Sequence, residues 1–127
     1  MIKTTAISLS ALALLACTVS AWAHHSAAAQ FDVTQEFVLT GVLTELQDVN
    51  PHSIWHIDVK AQDGTVTAWK LEGVNPNTLR RLGLSIKTDL KIGGTYAFTV
   101  APSRDGSKYA FLKAVTINGK KFQMVEL

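Results

Sequence analysis

The chain has little with which to build a cross-linked or strongly charged protein. It contains one cysteine, Cys17, and three prolines, and charged residues make up 17% of it. One cysteine cannot form an internal disulfide, so the fold must depend on packing. Twelve Lys and Arg residues against ten Asp and Glu leave a net charge of +2, too small to attract an anionic polymer from a distance. The composition therefore favours neither a disulfide scaffold nor a nucleic-acid-binding protein.

Residues 1–23 carry one charge, on Lys3, and are otherwise apolar or small. A basic start, an apolar run and the sequence Ala-Trp-Ala at 21–23 are typical of a secretory signal peptide that is cleaved after Ala23. Two alternatives stay open: an uncleaved membrane anchor, and a lipoprotein signal in which Cys17 becomes lipidated. We expect an exported, periplasmic monomer that begins at His24 and has no membrane span after cleavage.

Residues 24–35 are small and polar, and they predict an N-terminal arm that leads into a domain at 36–127. Apolar residues occur on both faces of the first strand of this domain, which predicts a bend, placed at Gly41. Alternation of apolar and polar residues predicts six strands, at 36–49, 52–61, 65–72, 95–101, 108–117 and 120–125.

One short helix is predicted at 75–83, between the third and fourth strands. Asn75 can cap its start, Pro76 suits its first turn, and Gly83 suits the left-handed residue that ends it. Five strands with a helix after the third follow the order of the OB-fold, a small Greek-key barrel. We therefore predict an all-β, OB-fold-like antiparallel barrel of five or six strands with one short helix. Another small barrel or a sandwich is the alternative.

The hairpin between the second and third strands has a register that can be predicted from parity. A loop at 63–64 would place Asp58 opposite Trp69, in the middle of the apolar face. A loop at 62–64 places Ile57 there instead, so we predict the three-residue loop. This register turns the apolar residues of the second strand inward and its histidines outward.

Four short motifs are distributed along the chain: AHHS at 23–26, NPH at 50–52, WKLE at 69–72 and RDGS at 104–107. Together they resemble DUF6152, a family of small exported bacterial proteins of unknown function. The resemblance covers nearly the whole chain after residue 23 and implies export and a single domain. It implies no activity, because the family has no established one.

The histidines are candidate metal ligands. His24, once N-terminal, offers an amine and a ring nitrogen to one ion, and His25 can contribute a further nitrogen. His52 and His56 share a strand face but are four residues apart, about 13 Å, so only one can join the arm, and His52 beside the turn is preferred. Such nitrogen donors suit copper(II). The sequence thus predicts a copper site of His24, His25 and His52; histidines that are merely solvated are the alternative.

The outer face of the second and third strands is a second candidate site, for a ligand. It carries Ile54, His56, Asp58 and Lys70, on the face that OB-folds commonly use for binding. It has no row of aromatic residues for stacking on bases, so we expect a small ligand or an envelope protein as partner, and no nucleic acid. A solvated face is the alternative here. We expect no enzyme, no catalytic residue and no cofactor other than copper, because no activated nucleophile or carboxylate pair is evident.

Overall fold

Alternation of inward apolar and outward polar residues produces the strands of this domain. The computed structural model describes residues 27–125. Within that range the strands are β1 (Phe37–Gln47), β2 (Ile54–Lys60), β3 (Val66–Glu72), β4 (Thr95–Pro102), β5 (Tyr109–Ile117) and β6 (Lys120–Gln123). The short helix α1 (Pro76–Arg81) lies between β3 and β4, as predicted.

The strands pair in the order β3-β2-β1-β4-β5-β6, and β3 also pairs with β5. This additional pairing is parallel and joins residues 70–72 of β3 to residues 109–111 of β5. It closes the first five strands into a barrel, while β6 extends the sheet at its edge. The prediction of an OB-fold-like Greek-key barrel is confirmed. We call the β3–β5 pairing the seam.

The β2–β3 hairpin has the register that parity predicts. Ile57 lies opposite Trp69, and His56 lies opposite Lys70. The loop is 62–64, and its last residue, Gly64, has a φ of 88°, a left-handed conformation that glycine adopts without steric cost. The two histidine-bearing positions therefore lie on the outer side of the barrel.

The first strand is irregular at one position beyond Gly41. The register against β2 shifts between Leu43 and Glu45, and this bulge changes the parity so that Leu46 can pack against the core that contains Leu43. The partner of β1 changes from β4 to β2 at Val42, next to Gly41, and the predicted bend at Gly41 stays a prediction. A Cβ at Gly41 would lie 2.8 Å from the carbonyl oxygen of Asp58, so glycine is needed there because two backbones approach closely.

The helix α1 has the predicted ends. Asn75 Oδ1 accepts a hydrogen bond from the backbone N–H of Thr78 at 3.0 Å, which satisfies one of the free donors of the first turn. Gly83 follows the helix with a φ of 80°. Leu79 and Leu84 are fully buried, so the helix and its exit pack against the barrel interior.

Two apolar clusters hold the described residues together. The outer cluster consists of Phe31, Ala101 and Phe111, and it lies on the outside of the sheet. The main core fills the barrel and contains buried residues from every strand and from α1: Leu43, Trp55, Ile57, Leu71, Leu79, Leu84, Leu90, Phe98, Val100, Ala110, Leu112, Val115, Ile117, Phe122 and Met124.

The N-terminal part of the chain is described from residue 27 onward. The predicted signal peptide, its cleavage site and Cys17 lie outside the described residues. Residues 27–30 are helical, not extended, and Phe31 then forms an isolated bridge with Ser103. Between residues 27 and 125 no helix is long and apolar enough to cross a membrane.

Candidate functional site

The turn before β2 is anchored by a buried serine. Ser53 Oγ donates to the carbonyl of Val74 at 2.7 Å and accepts from the indole N–H of Trp55 at 2.9 Å. Only glycine fits at position 73, because a Cβ at Gly73 would lie 2.7 Å from Ser53 Oγ. These contacts fix the start of β2 and leave His52, the residue before it, with 47% of its side chain exposed.

His52 faces the end of β3. Its Nδ1 lies 3.6 Å from Oε1 of Glu72, whose side chain is 19% exposed. Tyr109, at the start of β5, donates its hydroxyl hydrogen to Oε2 of the same carboxylate. Burial raises the pKa of Tyr109, and so do the hydrogen bond and the negative charge of Glu72, which means that the phenol keeps its proton at neutral pH. One carboxylate therefore connects His52 to Tyr109 across the seam.

Two ammonium groups lie on aromatic rings along the seam. Lys70 Nζ is 4.9 Å from the ring centroid of Tyr109, and Lys108 Nζ is 4.9 Å from that of Trp69. Both rings are half-buried, and both lysines are exposed. Cation–π attraction at an exposed position is worth about 0.5–1 kcal/mol, enough to favour these positions of the ammonium groups.

The arm is attached at the same place. The ring centroid of Phe31 is 5.1 Å from that of Tyr109 and 5.6 Å from that of Phe111. Phe31 is 1% exposed. Arg104 Nε donates to the carbonyl of Ala28 at 2.9 Å, and the backbone N–H of Arg104 donates to a second arm carbonyl at 2.9 Å. The loop that carries the RDGS motif therefore holds the arm against the start of β5.

Asp105 of the same motif shapes the loop. Its Oδ1 accepts from the backbone N–H of Ser107 at 2.9 Å. Hydrogen bonds from Ser107, and a weaker one from Ser103, lower the pKa of Asp105 to about 2. An ionised carboxylate that is bonded within its own turn gives this residue a structural role.

The predicted copper ligands are only partly placed by the structure. His24 and His25 lie outside the described residues, whereas His52 is placed beside Glu72. Residues 27–125 contain no group of three or more His, Cys, Asp or Glu side chains that could hold a metal ion. Any metal at His52 would therefore need a further ligand from outside this range.

The predicted ligand-binding residues share the outer face of β2 and β3. Strand pairing places His56 directly opposite Lys70, and it places Ile54 opposite Glu72. Ile54, His56 and Asp58 are half-buried, and Lys70 is exposed. The four residues therefore form a continuous strip, which ends at the Glu72 carboxylate.

Glu72 and Tyr109 are the site residues that sequence reasoning missed. The register predicted from parity already places Glu72 opposite Ile54, two residues from His52. The contact between His52 and Glu72 could therefore have been predicted from the sequence. Tyr109 reaches the site only because β5 pairs with β3, and a pairing between strands so distant in sequence leaves no local signal.

A family model with the description "family of unknown function" matches residues 11–120. The chain belongs to DUF6152. This membership confirms the family that the four motifs indicated. No curated protein matches the DUF6152 chain.

Among solved structures, the DUF6152 chain is similar to the crystal structure of Rim1, a mitochondrial single-stranded DNA-binding protein from S. cerevisiae. The TM-score is 0.50 and the sequence identity is 7%, over 72% of this chain and 97% of the Rim1 chain. At this identity the likeness concerns the fold, and it agrees with the OB-fold-like barrel described above.

The likeness corrects one prediction about partners. Sequence analysis excluded nucleic acid from the small net charge and from the missing aromatic residues on the second and third strands. That exclusion is wrong, because a protein named for binding single-stranded DNA has a similar fold. The physical reason is that closure of the barrel brings Tyr109 beside the outer face, and that Lys70 and Lys108 concentrate positive charge along the seam.

Proposed function

We propose that this DUF6152 protein is an exported, non-catalytic domain that binds copper through His24-His25 and His52. One observation supports this proposal above all. The segment that follows His24-His25 is packed through Phe31 onto Tyr109, and Tyr109 and His52 both contact the carboxylate of Glu72. The segment that continues from His24-His25 is thus attached to a residue that shares the Glu72 carboxylate with His52, which supports a site formed by both.

The length of the arm is compatible with this arrangement. Ala27 packs against the outer cluster, as does Tyr109. A chain spans at most about 3.6 Å per residue, so the α-carbon of His25 lies within about 7 Å of that of Ala27, and that of His24 within about 11 Å. Both histidines are therefore confined to the neighbourhood of the outer cluster, against which Tyr109 also packs.

The environment of His52 suits a metal ligand. Glu72 faces Nδ1, and a carboxylate at one ring nitrogen favours the tautomer with its hydrogen there, which leaves Nε2 free to bind an ion. His24 contributes an amine and a ring nitrogen if the chain is cleaved after Ala23. These nitrogen donors suit copper(II), which when bound would supply a redox-active ion.

A copper(II) titration of the mature protein, recovered from its own export, tests the proposal. We expect its affinity to exceed that of a free His-His-Ser peptide by at least about tenfold, because His52 adds a ligand. The substitution His52→Ala should lower the affinity to that of the peptide. His56→Ala is the matched control and should change nothing, because His56 faces Lys70 on the strand.

Two results would contradict the proposal. One is a wild-type affinity no higher than that of the peptide. The other is an affinity that His52→Ala leaves unchanged. A residue added before His24 separately tests the terminal amine, because an extended chain keeps both rings but loses that chelate. If the extended chain bound copper(II) as tightly as the chain that begins at His24, the terminal amine would not be a ligand.

A second candidate is a binding module that uses Ile54, His56, Asp58 and Lys70 on the outer face of β2 and β3. The two lysine–aromatic contacts along the seam favour it, because positive charge beside a ring is what a single-stranded nucleic acid recognises. Since Rim1 has a similar fold and is named for single-stranded DNA, that polymer is the ligand to test.

Fluorescence anisotropy with a labelled oligothymidine separates this candidate from the copper site. Binding should weaken as salt rises, and Lys70→Gln with Lys108→Gln should weaken it further and flatten the salt dependence. The control of equal charge change is Lys87→Gln with Lys121→Gln, two exposed lysines that lie outside β2, β3 and β5. An oligonucleotide that does not bind at low salt would rule this candidate out.

A further inference from the structure

A cavity opens on a part of the barrel away from the candidate site. It has a volume of about 570 Å³ and lies between the connection from α1 to β4 and the hairpin of β5 and β6. Its lining shares no residue with the copper site or with the outer face of β2 and β3. The volume falls within the range of sites that bind small molecules.

The walls of this cavity are held in place by contacts of the protein itself. Tyr96 Oη accepts from the backbone N–H of Lys91 at 2.8 Å. Gly94 lies so close behind Tyr96 that a Cβ there would be 2.6 Å from Oη. On the other side, Asn118 and Gly119 form the hairpin turn with φ angles of 49° and 79°. A cavity with such walls is preformed, so a ligand loses less free energy in ordering it.

The charged side chains that line the cavity are Lys91, Lys120 and Asp89, two ammonium groups against one carboxylate. Asp89 Oδ2 accepts from the backbone N–H of Ser85 at 2.7 Å, so this carboxylate is bound to its own turn while the two ammonium groups outnumber it. Lys120 Nζ is 4.8 Å from the ring centroid of Phe122, which holds the ammonium against the wall. The local charge therefore favours an anion.

We infer that this cavity binds a small organic anion, a carboxylate or a phosphate ester that carries an apolar group. Lys91 and Lys120 pair with the anionic group, and the side-chain amide of Asn118 offers a neutral hydrogen bond. Tyr96 and Ile117 supply the apolar part of the lining. This assignment is independent of metal binding, since the cavity and the proposed copper site have no residue in common.

Amide NMR titrations with phenyl phosphate and with benzoate test the inference. At least one of the two should cause saturable shifts at Lys91, Asn118 and Phe122, and the stronger probe shows whether phosphate esters or carboxylates are preferred. Inorganic phosphate and phenol, which each lack one half of the ligand, should bind at least about tenfold more weakly. Lys91→Met with Lys120→Met should cause a similar loss, and Lys60→Met is the control.

The inference would be overturned if neither probe caused saturable shifts at these amides. It would also be overturned if phenol bound as tightly as phenyl phosphate, because the lysines would then contribute nothing. Unchanged binding by the double lysine variant has the same meaning. The variant's amide spectrum outside the cavity shows whether its fold is intact, and both lysines are exposed, so we expect it to be.

Discussion

The main core and the outer cluster lie on opposite sides of the same strands. On β5, Leu112 belongs to the main core and the preceding Phe111 to the outer cluster; on β4 the same holds for Val100 and Ala101. The main core draws residues from every strand, whereas the outer cluster joins only β4 and β5 to Phe31 of the arm. Closure of the barrel and placement of the arm therefore depend on different residues.

The arm side of the candidate site is built on the smaller of the two clusters, with three buried residues against fifteen in the main core. Loss of the main core should unfold the domain, while loss of the outer cluster should release the arm and leave the barrel folded. A site that needs both the arm and His52 would then be lost without unfolding. The following predictions test that separation, from the largest effect to the smallest.

The first prediction concerns Trp55→Ala in the main core. Trp55 is fully buried and also donates its indole hydrogen to Ser53. Truncation of such a residue should lower the free energy of unfolding by about 3–5 kcal/mol, as measured by urea denaturation. A loss of less than about 1 kcal/mol would show that this cluster does not determine the stability of the barrel.

The second prediction concerns Phe31→Ala in the outer cluster. The barrel should remain folded and lose about 3 kcal/mol, the lower end of the range for a buried phenylalanine, since the ring belongs to the outer cluster and not to the main core. Hydrogen exchange should become faster in residues 27–35 and stay slow in the strands. Copper affinity should fall toward that of a free peptide, because His52 loses the arm. Faster exchange throughout β1 to β5 would contradict the separation of the two clusters.

The third prediction concerns the ion pair where the arm enters β1. Lys113 Nζ, on a residue that is 6% exposed, lies 2.7 Å from Oε2 of Glu36. The hydrogen bond and charge of Lys113 lower the pKa of Glu36 from 4.5. A carboxylate whose pKa is lower in the folded than in the unfolded state stabilises the fold at any pH above its unfolded-state pKa. This contribution disappears as the pH falls through the folded-state pKa.

Urea denaturation at neutral pH and at about pH 3 measures this contribution. The wild type should lose more stability on acidification than Glu36→Gln, which should already be less stable at neutral pH. If the free energy of unfolding changed with pH in the same way in the wild type and the variant, the Lys113–Glu36 pair would not stabilise the fold. Glu45→Gln, further along β1, is the matched control.

The fourth prediction concerns Asp105→Asn in the loop that holds the arm. Because the pKa of Asp105 is lowered from 3.8 to about 2, its carboxylate is ionised at neutral pH, and its stabilising effect on the loop declines as the pH falls from about 4 through about 2. The substitution should speed amide exchange at 103–107 and leave the urea midpoint of the barrel unchanged. A shifted midpoint would mean that the loop contributes to the barrel itself.

Local patterns in the sequence predict much of the fold. The β2–β3 register follows from parity, because only the three-residue loop places Ile57 and not Asp58 opposite Trp69. The ends of α1 follow from Asn75 and Gly83, whose side-chain and backbone preferences act within a few residues. Where the physical cause is local, the sequence is sufficient.

The remaining features depend on contacts between distant segments. The Tyr109–Glu72 hydrogen bond exists because β3 pairs with β5, and Phe31 is buried because the arm packs on β4 and β5. The need for glycine at position 41 has the same kind of cause, since the carbonyl of Asp58 that excludes a side chain there belongs to another strand. The prediction that nucleic acid is not a partner relied in part on the total charge of the chain. A total charge does not reveal where Lys70 and Lys108 lie.

The central claim is that the arm and His52 form one copper site, and paramagnetic broadening tests it most directly. Substoichiometric copper(II) broadens amide signals close to the ion, so an NMR spectrum of the mature protein maps its position. The proposal predicts that signals of the arm disappear together with those of His52, Glu72 and Tyr109, while the β5–β6 hairpin is unaffected. Broadening that is confined to the arm and leaves His52 sharp would contradict it.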